Sequence, residues 1–395
     1  MRGRILVIDY GTPTPDQDSG SASTFAYLRV LTAAGFHLTF AEPHLADAGP
    51  YTRALTALGI DCLLAPEWGS LDDVIRRAAP QADILLLYRG GVANVVFDLA
   101  RQVAPAAKIV FHPVDLHFLR LEREATISRD PAAATDAERM RELELSLIRR
   151  ADAAIVVSSY EAALLREIAP GATVHHIPIM RATPMPPPGF LGWRRFCARR
   201  GGGLAALARR GLGPGKRRDI VFIGGYRHRP NVDAMLWFTR EIWPLVLAAG
   251  FRDRLILAGS YMPPEISALA SDTIEIRGQV ADLPALFDAC RLSIAPLRYG
   301  GGVKGKIVSS LSLGLPVVAT SMAAEGMALR DGENILIADE PAAFARQIMR
   351  LYGDARLWRR LSARGFAAFR ENFSEDATGP KVVAVFDGLM ARRNA

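Results

Sequence analysis

The feature that most constrains this chain is a rhythm that runs twice. Short apolar, β-rich runs alternate with Ala- and Leu-rich stretches of helical spacing. In the first half the runs read RILVID (4–9), HLTFAE (37–42), DCLLA (61–65), DILLLY (83–88), KIVFH (108–112), AAIVVS (153–158) and TVHHIPI (173–179). Strands that are apolar throughout, with helices between them, belong to a parallel sheet covered on both faces. The longest intervening stretch, about 132–150, has acids early and Arg149-Arg150 at its end, which suits the helix dipole. From Arg181 to Arg218 the rhythm stops in PMPPPG, RRGGG and GPGKRR, the punctuation of a linker. It then restarts with DIVFIGG (219–225), RLILAG (254–259), TIEIRG (273–278), RLSIAP (291–296), LPVVAT (315–320) and NILIAD (334–339). The expectation is an α/β fold of two Rossmann-like parallel-sheet domains. Residues 1–180 form the first, 181–218 the basic linker, 219–375 the second and 376–395 a helical tail.

Charge sharpens the division. The 395 residues carry 48 Lys and Arg against 41 Asp and Glu. Ten of the basic residues fall within 181–218, which has no acid, and the remainder stands at 38 against 41. The net +7 therefore belongs to one segment rather than to the folded cores, and nucleic acid is not expected as a partner. No run of about 18 apolar residues exists to span a membrane. The apolar start ILVIDYG meets Asp9 too early for a signal-peptide core, and Cys62, Cys197 and Cys290 are sparse and odd in number. Both point to the cytoplasm.

Ligands of parallel α/β sheets bind beyond the carboxyl ends of the strands, so two such domains facing a cleft suit a donor and an acceptor. The segment RLSIAPLRYGGGVKGKIVSSLSLGLPVVAT is the best candidate for the donor. A strand ends near Pro296, Gly300, Gly301 and Gly302 follow, then Lys304, Gly305, Lys306 and an apolar helix. Glycines let backbone approach a ligand, a helix N-terminus attracts anions, and two lysines add full charge. That is the physics of a diphosphate cradle; a glycine-rich turn with solvated lysines is the alternative. Gly300, Gly305 and Lys306 also satisfy a Walker loop, but Ile307 stands where magnesium coordination needs Ser or Thr, so an NTPase is rejected.

With PDQDSGSAS (15–23), VDLHFLRLERE (114–124), VVSSYEA (156–162), FIGGYRHRPNVDAM (222–235), YGGGVKGK (299–306) and MAAEGM (322–327), the chain resembles the family 4 (group 1) retaining glycosyltransferases of bacterial surface-polysaccharide synthesis. The resemblance covers nearly all of it except the basic linker. It implies the GT-B architecture, a nucleotide-sugar donor, a glycan or lipid-linked acceptor, no cofactor and no metal. It implies that Gly20, in the loop after the first strand, gives room to the donor phosphate and that His117 reaches the donor sugar; a plain turn and a structural histidine are the alternatives. His112 is expected inside its strand. Arg227 and Arg229 of GGYRHRPN are each candidates for the donor phosphates. Lys304 and Lys306 would neutralise charge on the departing diphosphate. Many members carry two glutamates around the last loop; the corresponding positions here are Gly301 and Ser309, and a serine hydroxyl holds a ribose more weakly and at shorter reach. Glu325 is a nearby candidate carboxylate. A catalytically silent nucleotide- or glycan-binding protein of the same fold is the competing reading.

His175 and His176 alternate across a strand, which argues against a shared metal ion. Residues 190–212 interleave Trp193 and Phe196 with arginines. A soluble connector is preferred for them over peripheral contact with an anionic membrane.

Overall fold

The computed structural model describes residues 2–183 and 213–393. The stretch 190–212, discussed above for membrane contact, lies outside the described residues. The chain divides into two compact units: Met1–Pro15, Gly20–Met180 and Ala377–Ala395 form one, Asp16–Ser19 and Arg181–Asp376 the other, each over its described residues.

The first unit is built on a seven-stranded sheet of order β3-β2-β1-β4-β5-β6-β7, parallel throughout. Its strands are β1 (Arg4–Ile8), β2 (His37–Ala41), β3 (Asp61–Cys62), β4 (Ile84–Tyr88), β5 (Lys108–His112), β6 (Ala153–Val156) and β7 (Val174–His176). β1 shows why the sheet must be covered on both sides. Leu6 and Ile8 pack with Leu85, Leu87, Phe97 and Phe111 on one face. Ile5 and Val7 join Tyr27, Leu31 and Phe40 on the other. Alternate residues of a strand point to opposite faces, so an uninterrupted apolar strand serves two cores at once. Among the covering helices, Pro131–Arg150 is capped by Asp130, whose carboxylate accepts from the Ala132 amide at 2.9 Å, and ends on Arg149 and Arg150. Acceptor at the start and cations at the end both oppose the helix dipole.

The helix Glu375–Arg393 belongs to the first unit from Ala377 onward. Val382, Phe386 and Leu389 enter the core that holds Tyr27, Phe36 and Ile84. Arg2 donates to Asp387 at 2.8 Å, and the rings of Phe386 and Phe36 meet edge to face at 6.1 Å.

The second unit carries a six-stranded parallel sheet of order β10-β9-β8-β11-β12-β13. The strands are β8 (Arg218–Ile223), β9 (Leu255–Ala258), β10 (Ile274–Gly278), β11 (Cys290–Ala295), β12 (Val317–Ala319) and β13 (Leu336–Ile337). The chain moves outward from β8 through β9 to β10, then returns to lay β11 against the other side of β8. The order reverses there, and the loops leaving β8 and β11 diverge above the sheet. A crevice at the carboxyl ends of two such strands is where doubly wound sheets take ligands. Two parallel-sheet Rossmann-like units in one chain constitute the GT-B architecture. Among the described residues no helix is long and apolar enough to cross a membrane, and Cys62 and Cys290 are free thiols.

Since Phe386 is fully buried in a core of the first unit, Phe386→Ala should lower stability by about 3–5 kcal/mol. Urea unfolding measures it; a loss below about 1 kcal/mol would mean that the last helix is not part of that core.

Candidate functional site

The site grows from the switch point of the second sheet. β8 ends at Ile223 and the chain turns through Gly224, Gly225, Tyr226, Arg227 and His228 into the helix Arg229–Trp237. β11 ends at Ala295, and Pro296 to Lys304 leads into the helix Gly305–Ser312. β8 and β11 are hydrogen-bonded neighbours, with Leu292 opposite Ile220 and Ser293 opposite Val221. Two segments some seventy residues apart in the chain are thereby set side by side.

The lysines act differently from one another. Lys304 is buried, 6 % exposed, and its ammonium donates to the carbonyls of Gly301 (2.8 Å) and Gly302 (2.9 Å). It holds the glycine loop in shape by bonding that loop's own backbone. Lys306 leaves the helix toward the β8 loop. It donates to the Asn231 carboxamide oxygen at 2.7 Å and lies 4.9 Å from the Phe222 ring centroid. Among the described residues it has no carboxylate within ion-pairing distance. Burial, with the charge of Lys304 adding to it, pushes its pKa down to about 7. Desolvation and a like charge both disfavour the ammonium, and an opposite charge would restore it.

The helix mouth is crowded on its other side. A Cβ at Gly305 would lie 1.7 Å from the Ser19 hydroxyl oxygen and 3.3 Å from the Arg181 guanidinium. Only glycine permits that approach. Arg181 donates to the Ser19 hydroxyl (2.7 Å) and to its carbonyl (3.2 Å), and burial lowers its pKa to about 10 against the pull of Asp18. Ser19 and Arg181 escaped the sequence reading. The second opens what composition marked as a linker, so the run of basic residues hid positions that are fixed, Arg181 at one end and the buried Arg217 near the other. Asn231 escaped it too, although a polar residue one place after a helix-starting proline is a signal that was available.

The other candidates are placed as follows. Arg227 is exposed and lies over the Tyr261 ring at 3.5 Å, while the Tyr261 hydroxyl donates to the Gln17 side chain at 2.7 Å. Arg229 is exposed at the first turn of its helix. Ser309 is half-buried on the helix Gly305–Ser312, where its carbonyl accepts from Ser312 at 2.8 Å. Glu325 is half-buried just after the short helix Ser321–Ala324, which Thr320 caps.

Two candidates belong to the first unit. Gly20 is not in a loop: it is the second residue of the helix Ser19–Ala33. The helix starts earlier than the glycine suggested, because Ser19 already takes helical form. His117 opens the helix His117–Ser128. Its Nδ1 lies 3.0 Å from Glu144 and its Nε2 3.5 Å from Asp115. Burial alone would lower its pKa, but the Asp115 and Glu144 carboxylates outweigh it and the net direction is upward. Glu144 is fully buried and also accepts from the His117 and Phe118 amides at 3.2 and 3.1 Å. One carboxylate thus caps the helix and fixes the imidazole. His112 lies within β5, buried against Tyr88, its pKa lowered to about 3 by burial and by Arg89. Among the described residues no cluster of three or more His, Cys, Asp or Glu is arranged to hold a metal ion.

Residues 217–354 match the family model for glycosyl transferases group 1, spanning the β8 loop, the glycine loop and both lysines. That match lies wholly within the second unit. The whole chain is similar in fold to sucrose-phosphate synthase from Thermosynechococcus elongatus, at TM-score 0.72 and 16 % identity over 99 % of this chain and 100 % of that one. It is similar as well to Anabaena HepE solved with UDP-glucose, at TM-score 0.67 and 16 % identity over 98 % and 100 %. A glycosyltransferase from Rickettsia africae aligns at TM-score 0.67 and 12 % identity over 98 % of both chains. An uncharacterised 44.6 kDa protein of the Klebsiella pneumoniae cps region is 24 % identical over 164 residues, 39 % of this chain and 42 % of that protein. The match thus spans under half of that curated relative's length.

The half-buried Lys306 amine has a measurable consequence. Between about 7 and the usual 10.5 the unfolded chain holds a proton on Lys306 that the folded chain has shed. Stability must therefore rise with pH across that window, by at most about 1.4 kcal/mol per unit for one proton, and Lys306 contributes no slope below it. Urea unfolding of the protein and of Lys306→Met at pH 6, 8 and 9.5 isolates this contribution. The parent should gain on the variant above pH 7; equal slopes would show an amine solvated in the usual way.

Proposed function

We propose that this chain transfers a sugar from a nucleoside-diphosphate sugar to a glycan or lipid-linked acceptor, with retention of configuration and without a metal ion. The observation that carries the reading is Lys306: a half-buried amine at the mouth of a glycine loop and a helix, facing a neutral carboxamide instead of a carboxylate. A protein seldom buries a cation without its counter-charge, and a ligand diphosphate is a counter-charge of the right kind for this position. As the glycosidic bond to the diphosphate breaks, negative charge grows on the oxygen that leaves. A cation fixed beforehand in a low-dielectric pocket lowers that barrier without having to reorganise. Lys304 keeps the Gly301 and Gly302 backbone in place and adds to the positive potential. His117, held by Glu144, is assigned to orienting the donor sugar. The place of action assigned is the cytoplasm, with the segment 190–212 at the inner membrane surface if the acceptor is lipid-linked.

HepE was solved with UDP-glucose, which makes UDP the first nucleotide to try. Titration calorimetry should show UDP, or another nucleoside diphosphate of a panel, binding the protein. Lys306→Met should weaken that binding tenfold or more, equivalent to about 1.4 kcal/mol, and Lys304→Ala should weaken it as well. Failure of the whole panel to bind would remove the reading. Binding with neither transfer nor donor hydrolysis would favour a silent nucleotide-binding protein, for which Ser309, standing where a carboxylate would hold the ribose, is the supporting observation.

A further inference from the structure

We propose that Asn231 is a positioning residue that acts through Lys306: it fixes the ammonium at the mouth of the helix Gly305–Ser312 while leaving its charge free for the diphosphate. The inference rests on the reading of this site given above and adds to it a residue that touches no substrate. Asn231 is 4 % exposed and uses both ends of its carboxamide. The nitrogen donates to the Gly225 carbonyl at 2.8 Å, and the oxygen accepts from Lys306 at 2.7 Å. The first bond decides which end faces the lysine, since only the nitrogen can donate to a carbonyl. Backbone of the β8 loop thus orients the amide, and the amide orients the amine.

The fit is close. A Cβ at Gly224 would lie 2.8 Å from the Asn231 nitrogen and 2.9 Å from its carboxamide carbon. Gly224 is what lets the side chain lie against the loop it bonds. The lysine is held from below by the Phe222 ring, 4.9 Å away. The charged group that bears on it is Lys304, at the N-cap of the same helix; Asn231 and Phe222 are neutral.

Neutrality is the point of the arrangement. An aspartate at 231 would occupy the same space and would also accept from Lys306. It would form a buried ion pair, and the lysine's charge would be spent inside the protein. A carboxamide gives direction without neutralisation. The diphosphate that arrives then meets an amine already aimed and not already paired, and it supplies the charge that keeps the amine protonated.

The test uses the full chain, which has five lysines: Lys108, Lys216, Lys304, Lys306 and Lys381. With 13C-lysine labelling, each Cε resonance can be followed against pH, and the Lys306 signal is assigned by its loss in Lys306→Arg. Asn231→Asp should raise the Lys306 midpoint by more than one pH unit, and Asn231→Ala should not raise it. A residue that merely braced the loop through Gly225 would make the two variants alike, because both lose the donor to that carbonyl. Equal midpoints in all three proteins, or equal shifts in the two variants, overturn the proposal. Thermal melting confirms that each variant is folded. UDP titration of the same samples at pH 8 is a separate arm. It should show weaker binding in both variants, tenfold or more in Asn231→Asp. If the parent binds no nucleoside diphosphate, the functional reading fails there, while the resonance arm still decides whether Asn231 governs Lys306.

Discussion

The pairing of β8 with β11 is the constraint on which the second unit's chemistry depends. Strands consecutive along the chain lie on one side of β8, and β11 returns on the other. The reversal is forced by topology. A parallel sheet built from crossovers of one hand can grow in two directions only by switching at its centre. Above that switch no helix crosses from one strand to its neighbour, so the two loops are free to face each other. The β8 side supplies the Phe222 ring from the strand and Asn231 from the helix that follows, and the β11 side supplies the glycines, Lys304 and, from the helix after them, Lys306. Neither loop alone would hold Lys306 in place, since its hydrogen-bond acceptor and its aromatic support both come from across the switch.

The two lysines illustrate how sequence neighbours come to differ. Lys304 donates to two carbonyl oxygens of the loop it belongs to. Lys306 has one neutral acceptor and the face of an aromatic ring. Partial charges of carbonyls at two points stabilise an ammonium better than one amide oxygen does in a place shielded from water. The Lys306 pKa is pushed down toward neutrality by burial, and Lys304 is a second cause.

Much of this architecture was legible in the amino-acid sequence because it rests on patterns of short range. Apolar runs of strand length, repeated on both sides of a Pro- and Gly-rich break, specify parallel sheets since each such strand must be covered twice. The glycine loop with its lysines was legible for the same reason: glycine and charge between a strand and a helix have few other uses. What was not legible depends on contacts far apart in the chain. Nothing local distinguishes Arg181 from the arginines after it, yet its guanidinium is held by the Ser19 hydroxyl. Nothing local sends the helix Glu375–Arg393 back to the first unit; Phe386 and Val382 have the spacing of any amphipathic helix and reveal their core only in three dimensions. Gly20 was misplaced because glycine reads as a turn, whereas the first turn of a helix asks little of the residues in it.

The first unit uses the opposite electrostatic device at the end of its own sheet. His117 sits at a helix start where the free backbone amides would repel a cation, and Glu144 answers both amides and the ring. The imidazole beside Glu144 and Asp115 is drawn toward protonation. Lys306 is drawn the other way. One unit therefore surrounds its histidine with built-in anions, while the other surrounds its lysine with neutral groups and a second cation. A group supplied with its counter-charge by the protein is fixed in orientation and little changed by what binds nearby. A group denied one has its protonation open to whatever charge comes near, and that asymmetry separates Lys306 from His117.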